Sequence, residues 1–403
     1  MEIGKVDAIM TDEPTFIPLC VPEIRGNEWL YVKECLDANW VSSGGPFVER
    51  FEEAFADKVG GVAAIACQSG TAALHAALMV AGVGPGDAVL VSCMTFIAPA
   101  NAVRYVGAEP VLVDAEPDHW QMDVRLVARY LAEDCESRNG ATFDRRTGRR
   151  VAAVMPVHIL GHPVDMDPLL ELARAYGLTV IEDATESLGA LYKGRPVGTL
   201  GDIAAFSFNG NKLMTTGSGG MIVTRNRDWA RRAKHLTNQA KVDPIEYAHD
   251  EVGYNYRLTN IQAGMGLAQL ENLDAFLAAK RRVAARYAEG LAKIPGLTPM
   301  RAAPWADSAW WMYTILVDAD VYGMDSRTLL RALDAARIQT RPLWRALHQG
   351  PPHAGCPTLG GAVAERLHAA ALSLPCSVGL TEAAQERVLA TLAALSASAG
   401  MQR

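Results

Sequence analysis

The sequence predicts an α/β fold, with a mainly parallel central sheet in a large N-terminal part and a smaller α+β part at the C-terminus. Three observations carry this expectation. Short apolar runs of strand type alternate with helical patterns through the first half of the chain, and the alternation resumes after a polar interruption. A long helical pattern from about Thr259 to Lys293 then leads into a mixture of strand-like and helical segments.

Taken in order, "VAAIAC", "DAVLVSC" and "EPVLVDAE" read as strands, separated by the helix-like "TAALHAALMVAG" and "FIAPANAVRYVG". "EDCESRNGATFDRRTGRR" is polar, turn-rich and without apolar period, and is expected to be a surface loop. "VAAVMPVH", the helical "DMDPLLELARAYG", "LTVIEDA" and "DIAAFSF" (202–208) continue the β-α-β pattern. The 259–293 helix is expected to stop at Pro295, because proline cannot continue it. "WWMYTILVDA", "RTLLRALDAAR" and "EAAQERVLATLAAL" form the α+β remainder. The expected division is a large domain over 1–265 and a connecting helix with a smaller domain over 266–403.

A chain of 403 residues, half of them apolar, can bury a large core. Its net charge of −7 and the single short basic stretch Arg145, Arg146, Arg149, Arg150 argue against nucleic acid or an anionic membrane as partner, and point to small molecules. Seven dispersed cysteines without a C-x-x-C pair read as buried free thiols in a reducing compartment. "MEIGKVDAIMTDEP" has no signal-peptide core and no apolar run approaches membrane-spanning length, so a cytoplasmic protein is expected.

Three motifs carry chemistry. In "ACQSGTAALHAAL" a strand runs into a helix, so Ser69, Gly70 and Thr71 sit where backbone N–H groups and the helix dipole favour an anion. Alone, Ser-Gly-Thr there is also an ordinary N-cap. "VIEDATESLGA" places Asp183 at the C-terminal end of a buried-type strand, the edge where open α/β sheets gather ligands. "FSFNGNK" puts Ser207 and Lys212 at the end of another strand, followed by the glycines of "TTGSGGM". A phosphate cradle, a buried acid and a strand-end lysine on one edge suit pyridoxal 5′-phosphate. Lys212 would bind its aldehyde, Asp183 would keep the ring nitrogen protonated, and the Ser69–Thr71 turn would hold the phosphate.

From "WVSSGGPFVERFEEAFA" through "SGTAALHAAL", "GDAVLVSCMTFIAPANAV", "PVHILGHPVDMD", "IEDATESLGA", "AFSFNGNK" and "GYNYRLTNIQAGMGLAQL" to "SLP" at Leu374, nearly the whole chain resembles the sugar aminotransferases of the DegT/StrS type. These are pyridoxal-phosphate enzymes of fold type I, like aspartate aminotransferase. The resemblance implies that Lys212 is the Schiff-base lysine and proton shuttle, and that Asp183 pairs with the pyridine nitrogen. By the same resemblance Phe96 stacks on the ring, while Ser69, Gly70, Thr71 and Ser207 hold the phosphate. Asn255 in "GYNYRL" matches a residue that reaches the phosphate from the neighbouring subunit, which implies a homodimer with shared sites. Glu186, also counted among the cofactor-binding residues, stands where many relatives place glutamine or histidine near the phenolic oxygen; a carboxylate there repels a phenolate unless protonated or turned aside.

The spacing of His158 and His162 is i, i+4, but Gly161 and Pro163 break any helix there, so no metal is expected and His158 is expected to line the site. Trp305, Trp310, Trp311, Tyr313, Arg341, Trp344 and His348 form an aromatic and basic cluster that could contact a nucleotide-sugar, Arg341 and Trp344 foremost; each member alone reads as packing. The implied reaction moves an amine from an amino acid donor, glutamate, to the C4 ketone of a nucleotide-linked 4-keto-6-deoxy sugar. "NGNK" and "LPCSVGL" most resemble the branch acting on UDP-4-keto-6-deoxy-N-acetylglucosamine. Alternatives are another fold type I reaction (desulfurase, aldolase or dehydratase) or a non-catalytic cofactor-binding regulator. A dehydratase of this type replaces the lysine with histidine, and Lys212 speaks against it.

Overall fold

A computed structural model describes residues 15–60 and 63–400; the N-terminal stretch read for a signal peptide, 1–14, and Gly61 and Val62 lie outside the described residues. Seven strands build the main sheet: β1 (Ala63–Cys67), β2 (Asp87–Ser92), β3 (Glu109–Val113), β4 (Arg150–Met155), β5 (Thr179–Asp183), β6 (Ile203–Ser207) and β7 (Gly220–Thr224). Their order is β1-β7-β6-β5-β4-β2-β3; all neighbours are parallel except β7, which runs against both β1 and β6. The alternating pattern therefore gives the expected α/β architecture.

Pleating sends alternate side chains into two cores. Val89, Val91, Ile203 and Ala205 enter one, Ala88, Leu90, Ala204 and Phe206 the other. Both faces are covered, which explains why β2 and β7 are buried along their whole length and read as continuous apolar runs. Helix α1 (Glu28–Asp37) precedes α2 (Pro46–Lys58), which buries Phe47, Phe51 and Phe55 on one stripe. Phe55 meets Phe206 and Phe208 edge-on, at 5.2 and 5.5 Å between ring centroids. Helix α3 (Gly70–Val80) is alanine-rich and buried almost all round.

The polar interruption is not a plain loop. Cys135–Arg138 and Ala141–Asp144 pair as a hairpin that joins the sheet through Phe143 and Arg150. Its turn is Asn139-Gly140, both at positive φ (52° and 78°), a dipeptide that favours tight hairpins. The Tyr130 hydroxyl donates to Asp144 Oδ2 at 2.6 Å and Thr142 to the Tyr176 carbonyl at 2.6 Å, so polar residues fix it where apolar period is missing.

The long C-terminal helix is two helices, Asn260–Glu271 and Leu273–Leu291. Thr259 and Gln262 form a capping box at the start. The break falls at Asn272, whose side-chain amide donates to the Ala268 carbonyl, a local bond that competes with the helix ladder. The boundary expected at 265/266 would cut the first of these helices, and we propose Asn272 as the dividing point. Beyond it β8 (Leu297–Pro299), β9 (Tyr313–Val317), β10 (Arg341–Pro342) and β12 (Ala371–Leu374) form an antiparallel sheet in the order β8-β9-β12-β10. Between β10 and β12 the chain returns to the main sheet: β11 (Thr358–Leu359) pairs parallel with β3.

Candidate active site

The loops that follow β1, β2, β5 and β6 open on one edge of the main sheet and surround a cavity of about 390 Å³. Its floor begins with Ser69, the N-cap of α3, whose hydroxyl accepts from Ala72 N–H at 3.1 Å. The N–H groups of Gly70 and Thr71 come before any intrahelical acceptor, and both residues line the cavity. This turn is packed tightly. A Cβ on Gly70 would stand 2.8 Å from Ser207 Cβ, and one on Gly220 would stand 2.5 Å from the Ser69 carbonyl carbon. Gly220 lies opposite both Cys67 and Ser207 in the sheet, so the glycines bring Ser207 and the helix N-terminus to one spot.

Asp183 ends β5 with 2% of its surface exposed, and its carboxylate accepts from Thr185 N–H at 3.1 Å. Burial pushes its carboxyl up, while Thr185, Lys212 and His158 hold it down. Lys212 lies on the loop between β6 and β7. That loop is pinned by Phe208 N–H to Gly219 O, by Thr216 N–H to Phe208 O and by Thr215 N–H to Gln269 Oε1. Lys212 Nζ points into the cavity, 3.7 Å from Glu186 Oε1 and 3.9 Å from the centre of the Trp311 ring. Burial raises Glu186 to about 7 against the pull of Lys212, and its other oxygen accepts from Leu160 N–H at 2.8 Å.

Phe96 also lines the cavity. It precedes α4 (Ala98–Tyr105) and is 54% exposed, so it is not a core residue of that helix. Trp344 forms part of the wall and stacks on Trp311, with centroids 6.4 Å apart and planes at 11°. The aromatic cluster otherwise divides: Tyr313 stacks on Tyr287 inside the core, Trp305 lines a different cavity with His119 and His162, and His348 binds Glu365. Trp311, Asn209, Asn211 and Thr185 are cavity residues that motif reading did not single out by themselves. The signal for Trp311 was its membership in that cluster. Its indole N–H donates to the Asn211 carbonyl at 2.7 Å, directly before Lys212.

His158 does not line the cavity, which corrects the expectation. It is wholly buried behind Asp183, with Nδ1 accepting from Val164 N–H at 3.0 Å and Nε2 3.1 Å from Glu182 Oε2. The proton therefore sits on Nε2, and both nitrogens are occupied by structural bonds. Arg341 is exposed, donates to the Thr340 carbonyl at 2.9 Å and stands outside the cavity wall. Asn255 is exposed as well; its Oδ1 accepts from Arg257 at 3.0 and 3.2 Å, and within one chain it does not reach the cavity.

A helix N-terminus with two N–H groups free of intrahelical acceptors, a buried carboxylate and a reachable lysine on the carboxyl edge of a mainly parallel sheet define a fold type I pyridoxal-phosphate transferase. Residues 22–393 match the DegT/DnrJ/EryC1/StrS aminotransferase family, and the chain belongs to it. It is a pyridoxal-phosphate-dependent aminotransferase. The GDP-perosamine synthase of Caulobacter vibrioides is 43% identical over 384 residues, covering 95% of this chain and 99% of its own length. The putative pyridoxal phosphate-dependent aminotransferase EpsN of Bacillus subtilis is 39% identical over 382 residues, covering 93% and 95%. Among solved structures, DesV of S. venezuelae is 33% identical and superposes with a TM-score of 0.82 over 92% of this chain and 94% of its own. The residues present fit the cofactor: the anion-seeking Ser69–Thr71 turn, the Ser207 hydroxyl, the Asp183 carboxylate and the Lys212 amine all line one cavity, and the tight Gly70–Gly220 packing holds the turn and Ser207 together.

Proposed function

We propose that the protein transfers the amino group of L-glutamate to the C4 ketone of a nucleotide-linked 4-keto-6-deoxy sugar, and that the nucleotide is GDP. The observation that carries the reaction is the position of Lys212 Nζ between Glu186 and Trp311 in a cavity that Asp183 and the α3 N-terminus also line. The GDP assignment is supported by the likeness to a protein named GDP-perosamine synthase along nearly its full length. The UDP-sugar expected from "NGNK" and "LPCSVGL" rested on two short stretches, which weigh less than identity along the whole chain.

When bound, pyridoxal phosphate supplies the carbonyl that receives the amine and a ring that draws electrons from the reacting carbon. Ser69, Gly70, Thr71 and Ser207 would hold the phosphate, Phe96 would pack on the ring, and Asp183 would keep the ring nitrogen protonated. Lys212 Nζ removes the proton from the α-carbon of glutamate in the first half of the cycle and delivers one to sugar C4 in the second. Glu186, raised by burial to about 7, would carry its proton in part near neutral pH and in that form would donate toward the phenolic oxygen rather than repel it. Trp344 stands at the rim, where the sugar enters. The enzyme works as a homodimer in the cytoplasm, with Asn255 of each chain completing the other's phosphate site.

The deciding experiment compares kcat/KM for GDP-4-keto-6-deoxymannose and UDP-4-keto-6-deoxy-N-acetylglucosamine with glutamate as donor, product amines being read by mass spectrometry. Preference for the GDP-sugar is the expected outcome. Preference for the UDP-sugar would restore the reading from the short motifs, and no amino-sugar from either would overturn the substrate class.

A further inference from the structure

Behind the Lys212 loop lies a lysine that the amino-transfer chemistry does not use. Lys280 is 1% exposed, and its Nζ touches the Trp311 carbonyl at 2.8 Å, the Cys376 carbonyl at 2.5 Å, Cys376 Sγ at 3.7 Å and Cys20 Sγ at 3.8 Å. Among the described residues no carboxylate comes within ion-pair distance of it. A buried ammonium without a counter-charge is costly, and of its four contacts only the two sulfurs can ionise. The segments that carry the sulfurs run side by side: Cys376 N–H donates to the Leu19 carbonyl at 2.7 Å and Val21 N–H to Ser377 Oγ at 3.0 Å. Cys20 is half-buried and Cys376 fully buried, so a small oxidant meets Cys20 first.

We propose that Cys20 and Cys376 are a peroxide-oxidisable thiol pair, activated by Lys280 and coupled to the loop that carries Lys212. The Cys20 thiolate attacks one oxygen of hydrogen peroxide, breaking the O–O bond and giving a sulfenic acid and hydroxide. The Cys376 thiol then attacks that sulfur; a disulfide forms and water leaves with the thiol proton. Cys376 and the Lys280 charge pull the Cys20 thiol below the usual thiol range against its burial, whereas burial holds Cys67 and Cys93 above it. The coupling runs through Asn211. Its carbonyl lies 3.4 Å from Cys20 Sγ and accepts from Trp311 Nε1 at 2.7 Å, so drawing Cys20 Sγ into a bond with Cys376 shifts a packing neighbour of the residue directly before Lys212.

The test treats the holoenzyme with one equivalent of hydrogen peroxide, blocks free thiols and maps the unreduced digest by mass spectrometry. The expected product is a cross-linked pair of peptides containing Cys20 and Cys376, lighter by two hydrogens and separated by dithiothreitol. Cys376→Ser should halt at the sulfenic acid and take dimedone on Cys20, and Lys280→Met should slow the cross-link by about tenfold or more. Should that variant fail to fold, the dimedone result stands by itself, since it leaves the lysine in place. Oxidation first at Cys67, Cys93 or Cys135, with Cys20 and Cys376 left as thiols, would overturn the pair; a wild-type rate in Lys280→Met would overturn the role of the lysine. The coupling rests on the amino-transfer reading: oxidised wild type should lose turnover and regain it with dithiothreitol, while Cys20→Ser should be indifferent to the same peroxide. A cross-link without change in turnover would overturn the coupling alone, and failure of amino transfer before any oxidation would indict the functional reading instead.

Discussion

Glu186 Oε1 stands 3.7 Å from Lys212 Nζ, and both groups are largely withdrawn from water. A carboxyl in that position answers two influences. Burial favours the neutral acid and the ammonium favours the anion; burial prevails, leaving Glu186 near 7. The position that sequence reasoning found awkward for a carboxylate thus carries a group that can hold its proton under working conditions.

Stability should record this proton. Glu186 titrates near 7 when folded and near its ordinary 4.5 when unfolded, so between those values the folded chain binds more protons. Its contribution is fully present below the unfolded value and is lost as pH rises through the folded one. Glu186→Gln lacks that dependence. In urea unfolding of cofactor-stripped protein, the wild type should weaken relative to Glu186→Gln by on the order of 3 kcal/mol across this window. Parallel pH curves for the two proteins would mean that Glu186 is ionised throughout.

Trp311 should position Lys212 through two contacts, one with the ammonium and one with the Asn211 carbonyl. Trp311→Phe keeps a ring and loses the N–H, which is worth about 1 kcal/mol and hence about a fivefold fall in kcat. Trp311→Leu also removes the cation–π contact, so its fall should be larger, about tenfold or more. KM for glutamate should move little in Trp311→Phe. A Leu variant that turns over like wild type would leave the ring a packing residue only.

Much of this site was legible because its chemistry sits in contiguous motifs at strand ends. Asp183 and Ser207 end buried strands, Ser69–Thr71 and Lys212 lie just beyond strand ends, and the parallel sheet gathers strand ends by topology alone. What escaped depends on separations in sequence that no periodicity encodes. Trp311 meets Lys212 across 99 positions. His158 sits close to Asp183 along neighbouring strands, yet its ring turns inward because Val164 N–H and Glu182 occupy both nitrogens. The hairpin at 135–144 lacks an apolar face and is fixed by Tyr130, Asp144 and Thr142, so hydrophobic patterning could not find it; Asn139-Gly140 was the available signal. Asn272 likewise interrupts a helix whose apolar pattern runs through it unbroken.

Asp183→Asn should separate binding from chemistry. The amide keeps the size of the side chain but not its charge, so the phosphate cradle and Lys212 should still retain the cofactor, visible by its absorbance. Without the negative charge the ring nitrogen loses its proton, and both half-reactions, followed in single turnover with glutamate and with the keto-sugar, should slow by about a hundredfold or more. If turnover barely changes, the buried carboxylate is structural and the electron-drawing partner must be sought elsewhere.

Asn255 is exposed in the single chain, bonded to Arg257 and outside the cavity, so the proposed contact with phosphate requires a second copy of the chain. This gives a complementation test. Lys212→Ala should be inactive, and Asn255→Asp should bind the cofactor poorly because it sets a carboxylate against the phosphate. When the two are unfolded, mixed in equal amounts and refolded, half of the dimers pair one chain of each kind. In those dimers one site collects both defects while the other combines an intact Lys212 with an intact Asn255 from its partner. About a quarter of wild-type activity should therefore return. If Asn255 instead served its own chain, every site would carry one defect, and the mixture would show no more than the average of the two variants.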